Sequence, residues 1–323
     1  MILSRRKFLA GLGGAGALMP RPASSAYPER AIRLIVPFAA GGAVDAVARV
    51  LGKALSGNLG ESVVIDNRGG AGGIVGMEAA AHASPDGYTL LLSHSGFAAM
   101  PGLYRDLPFD PAHDFTGVIT AASGAYVLVV NARTPFTSTA DLIAFAKSHP
   151  GKVTYASAGA GSTIHLASEF FKRAAGIDLL HVPYKGAAPA MTDLLGGQVD
   201  MMFAPAVSSL PLAAAGKLKA LAVTSARRSA LAPELPTIAE SGLPGFEVSG
   251  WYGLAAPAAT PAAAVERLNA ETNRALKSAA VIAELRSQGL DPVGDTPAEA
   301  TGWISGEVAR WTAIIRDAGI KPQ

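Results

Sequence analysis

The feature that most constrains the fold is the alternation of short β-branched runs with longer segments of helical periodicity. Residues 31–38 (AIRLIVPF) have the pattern of a strand, and apolar residues then recur at helical spacing over 44–55. Further strand patterns occur at 62–66 and 88–93, and a helical segment at 73–83 lies between them. This alternation predicts an α/β fold in which mainly parallel strands are flanked by helices.

A second series of strand and helix patterns begins near residue 126 and continues to about residue 224. A proline-rich segment then interrupts the alternation, and the strand pattern WYGLAA resumes it at 251–256. Two helical patterns, 261–277 and 297–318, end the chain without strands of their own. We therefore expect the C-terminal helices to pack back on the first series.

The number of α/β units predicts two lobes rather than one core. Lobe 1 would comprise residues 27–125 plus 250–323, and lobe 2 would comprise residues 126–249. The two chain crossings, near residues 126 and 250, would then form a hinge. A single large doubly wound sheet is the alternative.

The first 26 residues have the pattern of an export signal. Two arginines in the run SRRKFL (4–9) precede a short apolar stretch, and the small residues of ASSA (23–26) follow it. We predict a twin-arginine signal peptide over 1–26, cleaved near Ala26, and a periplasmic mature protein. A general secretory signal and an ordinary amphipathic helix are the alternatives.

The charge of the remaining chain excludes a nucleic-acid partner. Four of the 27 basic side chains lie in the first 26 residues and none of the 25 acidic ones does, so the rest carries a formal charge of −2. Nucleic-acid binding needs a concentrated positive surface. No apolar run has the ~18–20 residues of a membrane span. We expect a monomer whose partner is a small molecule.

The common catalytic patterns are incomplete. There is no cysteine, no phosphate-binding loop with a Gly-Lys-Ser/Thr end, and no metal spacing among the six histidines. A nucleophile elbow at Ser157 would need glycine at position 155, which is Tyr155. We therefore predict a protein that is not an enzyme and has no cofactor or metal. A hydrolase that uses Ser157 or Ser162 with His165 stays open.

Two loops that join a strand to a helix are candidate anion sites. Residues 37–45 (PFAAGGAVD) carry small residues and Asp45 at a helix start, and residues 157–165 (SAGAGSTIH) carry two glycines, two hydroxyls and His165. Small residues let backbone N–H groups approach a ligand, and a helix N-terminus favours negative charge. Either loop could instead be a simple capping turn.

Three weaker candidates also follow strands. Tyr184, Lys185 and Gly186 precede a helix, and Lys185 could equally point into solvent. His94 follows the strand at 88–93, and Ala204-Pro205 follows the strand at 199–203.

Several of these segments together resemble the periplasmic substrate receptors of tripartite tricarboxylate transporters, the Bug family. The matching segments are PFAAGGAVD (37–45), DNRGGAGG (66–73), PDGYTLL (85–91), YASAGAGSTIHL (155–166), HVPYKGAAPAMTDLLGGQVD (181–200), LKALAVTS (218–225) and LPTIAESGLPGFEVSGWYGLAAPAATP (235–261). One departure is Gly69, where the family usually has proline.

This resemblance implies a type II periplasmic-binding-protein fold whose two lobes close on a small organic anion. It implies a receptor that captures a di- or tricarboxylate, an acidic amino acid or a related acid and delivers it to membrane transporter subunits. A sensory module for a signalling partner is an alternative. The ligand-binding residues implied or predicted are Phe38, Ala39, Ala40, Gly41, Gly42, Asp45, His94, Gly161, Ser162, Thr163, His165, Tyr184, Lys185, Gly186, Ala204 and Pro205.

Overall fold

The computed structural model describes residues 27–159, 162–184, 186–317, 319, 320 and 322. The predicted signal peptide, residues 1–26, lies outside the described residues. None of the helices in the described ranges is long and apolar enough to cross a membrane.

Strands and helices alternate along most of the described chain, as the sequence predicts. The strands are β1 (Ile32–Val36), β2 (Val63–Asn67), β3 (Thr89–His94), β4 (Phe115–Asn131), β5 (Thr154–Ser157), β6 (Leu180–Pro183), β7 (Met201–Pro205), β8 (Leu218–Val223), β9 (Ser249–Pro257) and β10 (Asp291–Pro292). The helices are α1 (Ala43–Leu59), α2 (Ile74–Ala81), α3 (Ser95–Leu103), α4 (Thr139–Ser148), α5 (Thr163–Ala175), α6 (Ala187–Gly196), α7 (Ala206–Ala214), α8 (Ala262–Leu276), α9 (Ala279–Ser287) and α10 (Pro297–Asp317). A short 3-10 turn, Ala71–Gly73, precedes α2.

The strands form two sheets that share β4, and each sheet contains a parallel set. In the first sheet β2, β1 and β3 run parallel, and β9 pairs antiparallel with β3 and with the first part of β4. In the second sheet β6, β5 and β7 run parallel, and β7 and β8 pair antiparallel with the last part of β4. The α/β prediction with parallel strands is thus confirmed, and the antiparallel strands β4 and β9 join the two sets.

β4 passes from the first sheet to the second between Ala125 and Tyr126. Ala125 pairs with Ser249 of β9, whereas Tyr126 pairs with Pro205 of β7. One residue earlier, Gly124 pairs with Gly250, so two glycines face each other where the sheets meet. A Cβ on Gly124 would lie 2.7 Å from Cδ2 of Leu290 and 2.9 Å from the carbonyl oxygen of Gly289, so glycine allows that segment to approach the strand closely.

Helix α1 packs on the first sheet with the apolar face that its sequence pattern predicts. Its apolar residues Val47, Leu51 and Leu55 lie one turn apart, and all three are fully buried on the first sheet. Burial of each such side chain contributes roughly 1.5–3 kcal/mol. The helix ends at Gly60, whose φ of +77° gives the left-handed cap that glycine adopts without strain.

The C-terminal helices pack on the first sheet, as predicted. Helix α8 packs on α1 and β4, and α10 packs on α3 and β4. In α10 the side chains of Trp311, Ile314 and Ile315 are buried. A Cβ on Gly102 of α3 would lie 2.7 Å from Cδ1 of Ile315, so glycine at this position allows the two helices to approach closely.

Candidate functional site

The carboxyl ends of the parallel strands in the two sheets meet near the middle of β4. His94, the last residue of β3, pairs with Tyr252, which also pairs with Ala122 of β4. Pro205, the last residue of β7, pairs with Tyr126 of β4. Ala122 and Tyr126, the β4 residues at these two strand ends, are four residues apart, or about 13 Å at ~3.3 Å per residue. Open parallel sheets bind ligands beyond the carboxyl ends of their strands.

The loop between β1 and α1 presents its backbone to solvent. Ala39 to Ala43 are all exposed, and a Cβ on Gly41 would contact nothing within 4 Å among the described residues. Gly41 has a φ of +88°, and Gly42 caps α1 without a side-chain hydrogen bond in the described part of the chain. The N–H groups of the first helical turn therefore lack a capping side chain and are available to an anion.

Asp45 holds this loop in place. Its Oδ2 accepts the Gly41 N–H at 2.8 Å and the Arg49 Nε–H at 2.9 Å, while Oδ1 accepts from Asn67 Nδ2 at 3.0 Å. Asn67 Nδ2 also donates to the carbonyl oxygen of Phe38 at 3.0 Å, so one amide group ties both ends of the loop. The hydrogen bond from Arg49, with those from Gly41 and Asn67, lowers the pKa of Asp45 to about 2 although burial opposes this shift.

His94 lies beside the same loop. Its ring centroid is 5.1 Å from that of Phe38. Its Nδ1 accepts the N–H of Gly96 at 3.0 Å and so caps α3. Burial lowers the pKa of His94 to about 4, so the imidazole is neutral at neutral pH.

The loop between β5 and α5 is held by its own hydroxyl groups. Ser157 Oγ accepts the Gly159 N–H at 3.1 Å, and Ser162 Oγ donates to the Gly159 carbonyl oxygen at 2.7 Å. Ser162 also caps α5, because its Oγ accepts the His165 N–H at 3.3 Å. Gly161, a predicted site residue, lies outside the described residues.

The side chain of His165 lies next to this loop in a stack of three rings, of which Tyr155 and His165 are buried and His181 is half-buried. The ring centroids of His165 and His181 are 4.3 Å apart, and those of His181 and Tyr155 are 4.7 Å apart. His181 Nε2 lies 2.7 Å from Ser157 Oγ, which connects the stack to the loop. Burial, together with the charge of His181, lowers the pKa of His165 to about 4, and burial also lowers that of His181.

Two tyrosines at the chain crossings, Tyr126 and Tyr252, join the two groups of loops and were not predicted as site residues. The Tyr126 hydroxyl hydrogen-bonds the side chain of Thr163 at the start of α5. The Tyr126 hydroxyl lies beside β9, since a Cβ on Gly250 would be 3.4 Å from it, and Tyr252 of β9 is the strand neighbour of His94. The predicted crossings near residues 126 and 250 were the signal that could have found both tyrosines.

Of the remaining predicted residues, Tyr184 and Gly186 lie next to the loop between β5 and α5. The Tyr184 N–H donates to the Ser157 carbonyl oxygen at 3.0 Å, and its hydroxyl donates to Asp193 at 2.8 Å. Burial and Asp193 raise the pKa of Tyr184 to about 12. Gly186 caps α6 with a φ of +132°. Lys185 lies outside the described residues.

Ala204 and Pro205 end the central strand of the second sheet. They pair with Val127 and Tyr126, so they lie where the two sheets meet. The structure therefore places the described predicted residues in two groups, one around Phe38 and His94 and the other around Ser162, Tyr184 and Pro205.

Residues 47–320 match the tripartite tricarboxylate transporter family receptor. The chain belongs to this family. Its resemblance to Bug receptors is confirmed by the solved structure of the periplasmic binding protein BugD, which is 37% identical with a TM-score of 0.74 and covers 92% of this chain and 100% of that chain.

Two other solved structures contain ligands. Rpa4515 of R. palustris, with adipate, is 39% identical with a TM-score of 0.77, and the match covers 92% of this chain and 100% of that chain. MatC of Rhodopseudomonas palustris, with bound malate, is 33% identical with a TM-score of 0.73, and the match covers 90% of this chain and 100% of that chain. The family consists of solute-binding receptors rather than enzymes.

The geometry agrees with a tripartite tricarboxylate transporter receptor better than with the hydrolase alternative. Both the donor and the acceptor function of the Ser162 hydroxyl are used by backbone groups. Ser157 is 0% exposed, so a substrate carbonyl has no access to its Oγ. Within the described residues, no group of three or more His, Asp or Glu side chains could hold a metal ion.

Proposed function

We propose that this protein is a periplasmic receptor that captures a small carboxylate between the β1–α1 and β5–α5 loops and delivers it to a tripartite membrane transporter. The observation that carries the proposal is the meeting of the strand ends of both sheets at Ala122–Tyr126 of β4. The adipate and malate of the related structures support a carboxylate ligand.

The binding energy would come mainly from backbone amides. Each helix N-terminus favours an anion by ~0.3–1 kcal/mol when exposed and by up to ~2 kcal/mol when partly buried. The first turns of α1 and α5 could thus hold two carboxylate groups, or both oxygens of one, without a dedicated arginine.

The described residues divide into contact and positioning roles under this proposal. Asp45 and His165 position the loops, because Asp45 is 2% exposed and engaged by three residues, and His165 is 6% exposed in the ring stack. The residues proposed to contact the ligand are Phe38, Ala39, Ala40, Gly41, Gly42, His94, Ser162, Thr163, Tyr184, Gly186, Ala204 and Pro205.

The hinge would lie where the two sheets meet. With lobe 1 as residues 27–125 plus 250–323 and lobe 2 as residues 126–249, both crossings fall beside the glycine pair Gly124–Gly250. Closure around the ligand would give the transporter a conformation to recognise. A ligand can drive closure only through its higher affinity for the closed form. We propose that the mature receptor is a monomer exported by its N-terminal signal.

Calorimetric titration of the mature protein, refolded to remove co-purified ligand, tests this function. The panel contains adipate, malate, monocarboxylates, tricarboxylates and acidic amino acids. We expect at least one carboxylate to bind, and absence of binding across the panel would overturn the proposal.

A matched pair of glycine variants tests the site. Gly41→Ala and Gly60→Ala both place a Cβ at a positive φ, +88° and +77°, at opposite ends of α1, where neither Cβ meets a described atom within 4 Å. Both should lose about 1–2 kcal/mol of stability through backbone strain. We expect ligand affinity to fall at least tenfold in Gly41→Ala and to stay unchanged in Gly60→Ala.

A further inference from the structure

The imidazole of His94 has a fixed tautomer. Its Nδ1 accepts the Gly96 N–H at 3.0 Å, so Nδ1 carries no proton. Since the ring is neutral at neutral pH, the single ring proton is on Nε2. The Nε2–H group is therefore a hydrogen-bond donor whose direction is set by the cap on α3.

This donor is unsatisfied within the described part of the chain. His94 Nε2 is buried from solvent and has no hydrogen-bond partner among the residues that the structure describes. A buried donor without an acceptor is destabilising, and native proteins retain few such groups without a functional reason.

The surroundings of the ring contain aromatic groups from the proposed ligand cleft. The Phe38 ring, 5.1 Å from the imidazole and tilted by 59°, belongs to the loop that precedes α1. Tyr252, its neighbour across the sheet, lies at the second chain crossing. The Nε2–H donor thus lies between the β1–α1 loop and Ala122–Tyr126 of β4, where the strand ends of both sheets meet.

We propose that His94 Nε2–H recognises a second oxygen of the ligand, in addition to the carboxylate held by the helix N-termini. The site then selects carboxylates whose body carries a further acceptor, such as a second carboxylate or a hydroxyl group. The ligand oxygen approaches Nε2 beside the Phe38 ring. This inference rests on the proposed function, because it concerns the same ligand.

His94→Asn separates the two roles of the imidazole. Asparagine is among the best helix N-caps, so its side-chain oxygen can still accept the Gly96 N–H, but it has no donor at the place of Nε2. The probes are two pairs, adipate with hexanoate and succinate with butyrate, in which the second member has a methyl group in place of one carboxylate. A third pair, 3-hydroxybutyrate with butyrate, differs by the hydroxyl group.

The wild type should prefer the acceptor-bearing member in at least one pair. We expect His94→Asn to weaken binding of that member by roughly tenfold or more and to leave the other member unchanged. The proposal would be overturned by an equal loss of affinity for both members of every pair. It would also be overturned if His94→Asn lost no affinity for any of the acids. If the wild type binds none of the acids, the result contradicts the proposed function as a whole and not only the role of His94.

Gly96→Ala provides a second test that keeps the histidine. A Cβ on Gly96 would lie 2.6 Å from Cε1 of His94, so alanine forces the ring to move. We expect the same selective loss of affinity as in His94→Asn.

Nitrogen NMR of the wild-type protein tests the protonation of the His94 ring directly, without any substitution. Nδ1 should be unprotonated in the free protein, and the Nε2–H resonance should shift when the preferred acid binds. Protonation at Nδ1, or an Nε2–H resonance unchanged by saturating ligand, would overturn the proposal even if both variants failed to fold.

Discussion

The carboxylate of Asp45 accepts the backbone N–H of Gly41 at a distance of 2.8 Å. Because Asp45 is in the first turn of α1, this bond folds the preceding loop back onto its own helix. The remaining acceptor positions receive hydrogen bonds from Arg49 and Asn67. Asp45 therefore fixes the shape of the loop, and we propose that it acts on the ligand only in this way.

Asp45→Asn should weaken ligand binding and lower stability. The amide keeps one acceptor oxygen but places an NH₂ group against either Asn67 or Arg49, both of which are donors. We expect a loss of about 1–3 kcal/mol in unfolding free energy, measured by urea denaturation, and weaker binding of the preferred acid, measured by calorimetry.

Asp141→Asn is the control for this prediction. Asp141 is also in the first turn of its helix, α4, and accepts from Thr137, but α4 is not one of the proposed ligand helices. Ligand affinity should be unchanged in Asp141→Asn. An equal loss of affinity in both variants would contradict a specific role for Asp45.

Acid should destabilise the protein through the buried ring stack. The folded-state pKa of His165 is about 4, below its ordinary value of about 6.5, so the unfolded chain binds a proton first as the pH falls. Stability should therefore decrease between about pH 6.5 and pH 4, by ~1.4 kcal/mol per pH unit for each such histidine, and level off below pH 4. His94, with a pKa of about 4, should add to the same slope.

Urea denaturation of variants across this pH range checks the assignment. His165→Gln should reduce the slope of stability against pH. If His165→Gln and the wild type showed equal slopes, the acid sensitivity would have another source.

The turn and the N-cap in the two proposed ligand loops were predictable because their chemistry is local. Gly41 and Ser162 indicate a positive-φ turn and an N-cap within a few residues of each helix start. In contrast, Tyr126 and Tyr252 are 126 residues apart in the chain and come together only because β4 and β9 pair antiparallel. A single sequence contains little information about such a pairing.

Four elements of the fold were not predicted, namely the first part of β4, α3, α9 and β10, and the first two were missed for local reasons. The first part of β4, FTGVITAASGA, contains two glycines and several small residues, which weaken a strand pattern. Helix α3, SGFAAMPGL, contains glycine and proline and shows little amphipathicity because it is buried on most sides. In both, tertiary packing outweighs local preference.

Removal of the Tyr126 hydroxyl should affect binding more than folding. Tyr126→Phe deletes the hydrogen bond to Thr163, so the side chain of Thr163 loses its fixed orientation at the start of α5. We expect affinity to fall by roughly 2- to 10-fold, a typical cost of one hydrogen bond. Tyr27→Phe is the control, because its hydroxyl donates to Gly87 at 2.6 Å, next to the amino end of β3, whereas both loops follow the carboxyl ends of their strands. An unchanged affinity in Tyr126→Phe would exclude this role.

Glu307 of α10 should be among the most sensitive positions for stability. It is 5% exposed, and its Oε2 accepts from the indole N–H groups of Trp311 at 3.0 Å and Trp251 at 3.4 Å. Its Oε1 lies 3.0 Å from Arg310 Nη1, and Arg310 also donates to the carbonyl oxygen of Glu247. One carboxylate thus holds α10 to the start of β9, where the chain crosses between the sheets.

Glu307→Ala would leave two buried indole donors and one guanidinium without their acceptor. We expect a loss of about 3–5 kcal/mol in unfolding free energy, because breaking a buried charge network leaves its partners desolvated and unpaired. Glu307→Gln keeps one acceptor oxygen and should lose less. Glu266→Ala, an exposed position on α8, should change stability by less than about 0.5 kcal/mol. A Glu307→Ala protein as stable as Glu266→Ala would show that α10 is held by its apolar contacts alone.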